Sequence, residues 1–144
     1  MKKFLTIMLL LATALSAAAQ SNGRSKWGNE MLEAKHKMII EEVGLTPTQQ
    51  EQFMPLYQEM EKEIYKTNRD ARTLAANVEK KKSASDSEYF QAAEALSRAK
   101  IREGEIEAKY FPKFAKILSK KQMFLLKQAE VKFTRTMIRG GKRK

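Results

Sequence analysis

The chain has 144 residues, with 28 lysines and arginines against 17 acidic residues, one histidine and no cysteine. That length suits one domain, and the lack of cysteine excludes disulfides and thiol chemistry. The formal charge of +11 favours anionic partners through long-range attraction.

Residues 1–19 read as a secretory signal peptide rather than as part of the fold. Lys2 and Lys3 make a positive n-region, and Phe4 to Leu15 an apolar stretch too short to span a bilayer. Ala17-Ala18-Ala19 ends in a small-residue cleavage site. No cysteine follows, which excludes a lipoprotein anchor. The expectation is export to the periplasm with cleavage near Ala19, leaving a mature net charge of +9 once Lys2 and Lys3 are lost. In that compartment nucleic acid is not an expected partner. Acidic protein segments and the anionic envelope surface are.

Residues 20–27 are polar and read as a flexible N-terminus. A single all-α domain is expected over 28–139, closed by a basic tail over 140–144 that ends in Lys142-Arg143-Lys144. The first helix is predicted from Gly28 to Val43, with Trp27, Met31, Leu32, Met38 and Ile39 as its apolar stripe and Gly44 as its stop. Leu45-Thr46-Pro47-Thr48-Gln49 then spells a helix start. Thr46 is the N-cap, Gln49 closes a capping box, and Pro47 sits at the first helical position, where its missing N–H costs nothing.

The second helix is predicted from Pro47 to Lys82, about 54 Å at 1.5 Å per residue. Its apolar positions are Phe53, Leu56, Tyr57, Met60, Ile64, Ala71, Leu74 and Val78. A polar turn over 79–85 leads to Ser85, which with Glu88 opens a third helix. The face predicted for that helix is Phe90, Ala93, Ser97, Ile101, Gly104, Ala108, Phe111, Ala115 and Leu118, flanked by Leu96, Tyr110, Phe114 and Ile117. Leu118-Ser119-Lys120-Lys121-Gln122 repeats the first motif. It starts a fourth helix with Met123, Leu126, Ala129, Phe133 and Met137 as its stripe, and Leu118 is placed to staple onto Met123. No alternating strand pattern occurs. The predicted fold is all-α: a long curved antiparallel hairpin of the second and third helices, with shorter first and fourth helices packed on it.

A turn near residues 83–84 sets positions adding to about 167 opposite each other in such a hairpin. Phe53 then faces Phe114, Leu56 faces Phe111, Val78 faces Tyr89, and Pro55 and Pro112 lie at one level, where each bends its helix. Gly104 falls opposite the Met60–Ile64 segment, where the absent side chain permits close approach.

These residues carry a family likeness. The two Leu-Thr/Ser-x-x-Gln motifs (Leu45, Thr46 and Gln49; Leu118, Ser119 and Gln122) resemble those of the Spy/CpxP family of periplasmic proteins. Phe53-Met54-Pro55-Leu56-Tyr57, Tyr110-Phe111-Pro112-Lys113-Phe114 and Glu130-Val131-Lys132-Phe133 resemble a Bacteroidetes branch labelled periplasmic heavy-metal sensors or sensors of extracytoplasmic sigma factors. The likeness spans roughly residues 30–138. Met54 stands where that branch has tryptophan, and Ser119 where the motif has threonine. The resemblance implies a cradle-shaped homodimer and ATP-independent binding of unfolded proteins, or envelope-stress signalling.

No catalytic constellation is legible. His36, between Lys35 and Lys37, is expected on a solvated helix face, and a zinc site needs about four ligands, which one histidine and scattered carboxylates do not supply. No cofactor, metal site or catalytic residue is expected. The mature methionines, Met31, Met38, Met54, Met60, Met123 and Met137, are expected to fill the core, with exposed methionine and aromatic side chains offering an adaptable surface. Basic residues recur at helical spacing as Lys62, Lys66, Arg69 and Arg72 on the second helix, and as Arg98, Arg102, Lys109, Lys113 and Lys116 on the third. These are candidate client-binding stripes, with Glu59, Glu63 and Glu105 as local partners. The leading expectation is a periplasmic chaperone for unfolded or acidic polypeptides. The alternatives are a regulator that binds the sensor domain of a membrane signalling protein, and a metal sensor.

Overall fold

The computed structural model describes residues 28–140. Residues 1–27, with the predicted signal peptide and Trp27, and residues 141–144 lie outside the described residues. Four helices follow in order: α1 over residues 28–43, α2 over Pro47–Glu79, α3 over Asp86–Phe114 and α4 over Lys120–Gly140. Among the described residues there is no strand.

The helix ends follow local chemistry. Gly44 closes α1 with φ +66°, a left-handed conformation that costs any residue with a Cβ. Thr46 Oγ1 accepts from the Gln49 backbone at 3.2 Å, and the Gln49 side chain accepts from the Thr46 backbone at 3.2 Å. Ser85 and Glu88 build the same box on α3 at 3.3 and 2.9 Å, as do Ser119 and Gln122 on α4 at 3.1 and 2.9 Å. The second helix stops at Glu79 rather than Lys82, because Lys80 to Lys82 bring three like charges and no apolar side chain to pack.

α2 and α3 form the antiparallel hairpin. Phe53 meets Phe114 with ring centroids 4.9 Å apart, as the register predicts. Farther out, Lys109 reaches Glu63 at 2.8 Å and Asn68 reaches Glu103 at 3.2 Å, and Lys81 pairs with Glu88 beside the turn. α2 runs unbroken through Pro55. α3, in contrast, ends two residues beyond Pro112, which cannot donate a helical hydrogen bond to the carbonyl four residues before it, and Ala115 and Leu118 belong to the connection and not to the helix.

The core sits at one end of the hairpin. Ile39, Val43 and Leu45 close over Phe53, Tyr57 and Met60 of α2 and over Ile106, Tyr110 and Phe114 of α3. Leu118, Met123, Leu126 and Ala129 complete the cluster. Full burial of such a side chain stabilises the fold by about 1.5–3 kcal/mol. Beyond this base the hairpin is a two-helix arm, in which the buried residues are Ala71, Val78, Ala92 and Ala99. Small side chains there let two backbones approach closely.

Four expectations are corrected. The buried face of α3 is Ala92, Ala99, Ile106, Tyr110 and Phe114, on the opposite side from the predicted stripe. Phe90, Ile101 and Phe111 are 71%, 64% and 52% exposed, and Ala93, Ser97, Ala108 and Gly104 point outward with them. Gly104 permits no close approach, since a Cβ there would meet nothing within 4 Å. On the partner helix Leu74 is exposed while Val78 is buried, and Tyr89 opposite Val78 is exposed. In α1, Ile39 and Val43 are buried but Leu32 is exposed.

Candidate functional site

The two motifs meet across the base of the molecule. Gln49 and Gln122 exchange hydrogen bonds through their side-chain amides, both at 2.9 Å. Each amide nitrogen also donates to the backbone carbonyl five residues before the other glutamine. Gln49 reaches Ile117 O at 3.1 Å and Gln122 reaches Gly44 O at 3.3 Å. Each glutamine therefore caps its own helix and secures the chain entering the other, an approximate two-fold arrangement. Leu45 and Leu118 insert into the core beneath. The motif residues Leu45, Thr46, Gln49, Leu118, Ser119 and Gln122 thus form one structural clamp.

A second polar network fastens α1 and α4 to the hairpin. The Tyr57 hydroxyl, on a fully buried ring, donates to Glu130 Oε1 at 3.0 Å. Lys127 bridges Glu130 at 2.6 Å and Glu107 at 2.8 Å. Burial, then the nearby Glu130 and Glu61 carboxylates, push the Tyr57 hydroxyl far above its ordinary pKa. Burial alone would lower the Lys127 ammonium, but its hydrogen bonds to Glu107 and Glu130 outweigh that and raise it. His36 does not sit on a solvated face. Its Nε2 lies 2.6 Å from Glu61 Oε2, Lys35 takes the other oxygen at 2.7 Å, and the ring stands edge-on to Tyr57. Sequence spacing missed this because the partners lie on another helix.

The predicted basic stripes are divided by the fold. Lys66, Arg98, Arg102 and Lys109 line one open groove of about 710 Å³ between α2 and α3, over Ala71, Leu74 and Ile106, together with Glu63, Asp70 and Glu105. Arg69 and Arg72 lie beside Tyr65 on another face. Lys62 and Lys116 are exposed elsewhere, and Lys113 rests 4.6 Å over the Tyr110 ring. Several of these cations are neutralised locally. Lys109 pairs with Glu63, Arg98 with Glu94, and Arg69 with Asp70. Glu63 pairs across the hairpin rather than along its own helix, and its hydrogen bonds from Lys109 and Tyr110 hold its pKa below the usual range.

Charge is distributed differently from what the stripes suggest. Residues 20–119 contain 17 basic and 16 acidic residues, while residues 120–144 contain nine basic residues and one acid, Glu130. The hairpin is nearly neutral, and the surplus lies on α4 and the sequence after it.

The arm's main resource is apolar. Tyr65, Leu74, Tyr89, Phe90, Leu96 and Ile101 are all at least 40% exposed. A second open groove, of about 590 Å³ between the hairpin and α1 and α4, is lined by Leu32, Ile64, Tyr65, Val131 and Phe133 along its apolar side. Among the described residues no group of three or more His, Asp or Glu side chains gathers as a metal site would require. No helix among them is long and apolar enough to cross a membrane. No family model, no curated protein and no solved structure matches this chain.

Proposed function

We propose that the chain is an ATP-independent, chaperone-like protein of the periplasm that holds unfolded or acidic polypeptides during envelope stress. The observation that carries this reading is the two-helix arm, which exposes six large apolar side chains, one of which, Leu74, lies in a groove edged by Lys66, Arg98, Arg102 and Lys109. Large apolar side chains left in water along one arm are the kind of surface that binds other chains. Apolar contact supplies affinity, and charge governs encounter and orientation. Because the hairpin's charges nearly balance, retention of clients is expected to depend more on the apolar residues than on salt. Resemblance to the Spy/CpxP family supports the same reading.

The test is suppression of aggregation of a chemically denatured protein by the secreted form, beginning at Gln20. Suppression is expected at stoichiometric amounts, and a Tyr65→Ser, Leu74→Ser, Leu96→Ser variant is expected to lose most of it while keeping its helical circular dichroism. Failure of the parent protein to suppress aggregation sinks the proposal.

The proposal includes homodimerisation through the outward stripe of α3. That stripe is symmetric about a point between Lys100 and Ile101: Phe90 mirrors Phe111, Ala93 mirrors Ala108, and Ser97 mirrors Gly104. An antiparallel pair of copies would set large residues against large and small against small, as a two-fold interface requires. Sedimentation should give a dimer for the parent and a monomer for Ile101→Glu.

A further inference from the structure

α4 carries a feature that client binding does not use. Its exposed side has a row at helical spacing, Lys121, Phe124, Gln128, Val131, Arg135 and Ile138, all turned to solvent. Phe124 and Ile138 are 62% and 59% exposed. Phe124, Val131 and Ile138 stand seven residues apart, so they share one side of the helix over about 21 Å at 1.5 Å per residue.

The charges around this row are of one sign. The single acid of α4, Glu130, is turned inward to Tyr57 and Lys127. Lys127 and Lys132 pair with acids of other helices. Lys120, Lys121, Arg135 and Arg139 make no ion pair among the described residues, and the sequence continues with Lys142, Arg143 and Lys144.

The positions of Lys120 and Lys121 add an independent observation. They occupy the first turn of α4, which contains no acid. The positive end of the helix dipole disfavours cations there. α3, by contrast, places Asp86 and Glu88 in its first turn. Two lysines at a helix start work against the fold, and such departures from local preference concentrate where function requires them.

We propose that the outer side of α4 is an interfacial helix that lies on an anionic phospholipid surface, with Phe124, Val131 and Ile138 in the headgroup boundary and the flanking cations on lipid phosphates. A thin apolar row with cations beside it is the pattern of helices that rest in the plane of a membrane without crossing it, and juxtaposed lysines and arginines add attraction to anionic headgroups. An acidic protein would use the charge but would not require three apolar groups in line along the helix. The proposal rests on export, which brings the chain to the envelope membranes. It does not depend on client binding, so the two can fail separately.

The test is co-sedimentation of the secreted form with vesicles of phosphatidylcholine alone or with about 30% phosphatidylglycerol. Binding is expected only to the anionic vesicles and is expected to fall at least tenfold when salt is raised from about 50 to 200 mM. Lys120→Glu with Lys121→Glu should weaken it about tenfold while leaving the fold intact, since acids suit a helix start. Phe124→Gln, Val131→Gln and Ile138→Gln together should weaken it several-fold. A Phe124→Trp variant should be quenched by lipid brominated on its acyl chains. Absence of binding to anionic vesicles overturns the proposal. So does binding unchanged by these α4 substitutions, absence of quenching, or equal binding to polyglutamate that the glutamine substitutions leave untouched.

Discussion

Gln49 and Gln122 each close a capping box and also bond to one another and to a carbonyl of the opposite connection. Gln49→Ala should therefore cost about 1–2 kcal/mol, since a lost cap and lost hydrogen bonds combine. The double variant should cost less than the sum of the two single changes by about 0.5 kcal/mol or more, which a double-mutant cycle in urea would measure. Titration gives a second test at this scale. Burial raises the Tyr57 and Tyr110 hydroxyls above their ordinary values, and their carboxylate partners add to the shift. A raised pKa in the folded state contributes stability that is fully present below the unfolded value near 10, and that is lost as pH climbs above it. Thermal midpoints should fall steadily above about pH 10, and Tyr57→Phe should flatten that decline. On the acid side the Lys81 hydrogen bond and the Ser85 backbone hold Glu88 down to about 2. Its contribution is present above its unfolded value and lost as pH falls toward 2. Glu88→Gln should remove that part of the acid sensitivity.

At the scale of elements, the helix starts were legible and one helix face was not. Thr46, Ser85 and Ser119 announce helices through chemistry that acts within four residues, so no tertiary knowledge is needed. α3 carries apolar residues on two opposite sides, and along the arm the bulkier ones, Phe90 and Ile101, lie on the outer side. A reading weighted by side-chain size selects that side. The hairpin instead buries Ala92 and Ala99, because two long helices pack closest where side chains are small. The inverted face also explains Gly104, an interior helical glycine with open space around its Cα. In a protein diluted to monomer, Gly104→Ala should raise stability by about 1 kcal/mol, the ordinary helix-propensity gain, read from urea midpoints. At Gly44 the sign reverses. Its φ of +66° makes Gly44→Ala destabilising by about 1 kcal/mol.

Across the whole molecule, stability is unevenly placed. The large aromatic and aliphatic side chains gather at the base, while the arm holds itself with Ala71, Val78, Ala92 and Ala99. Amide exchange should accordingly be slow around Phe53–Tyr57 and Tyr110–Phe114 and faster by orders of magnitude near residues 74–95, where opening exposes little apolar surface. The arm that exposes apolar groups to solvent is thus also the part most easily deformed. The net charge was legible from composition, but its address was not. The lysines and arginines of α2 and α3 looked like the source of the surplus, yet acids reach some of them from the facing helix, as Glu63 does to Lys109, whereas on α4 only Lys127 and Lys132 find such partners and Lys120, Lys121, Arg135 and Arg139 have none among the described residues. Pairing of that kind depends on which helices touch, and spacing along one helix does not contain it.

The paired glutamines carry one last consequence. Because the two amides are interchangeable, neither motif can drift alone: a change at residue 49 orphans groups around residue 122, and the reverse holds equally. The two motifs, far apart in the chain, should be inherited as a single word. A chain that has lost one copy should either have lost the other or have rebuilt the junction between its first and last helices.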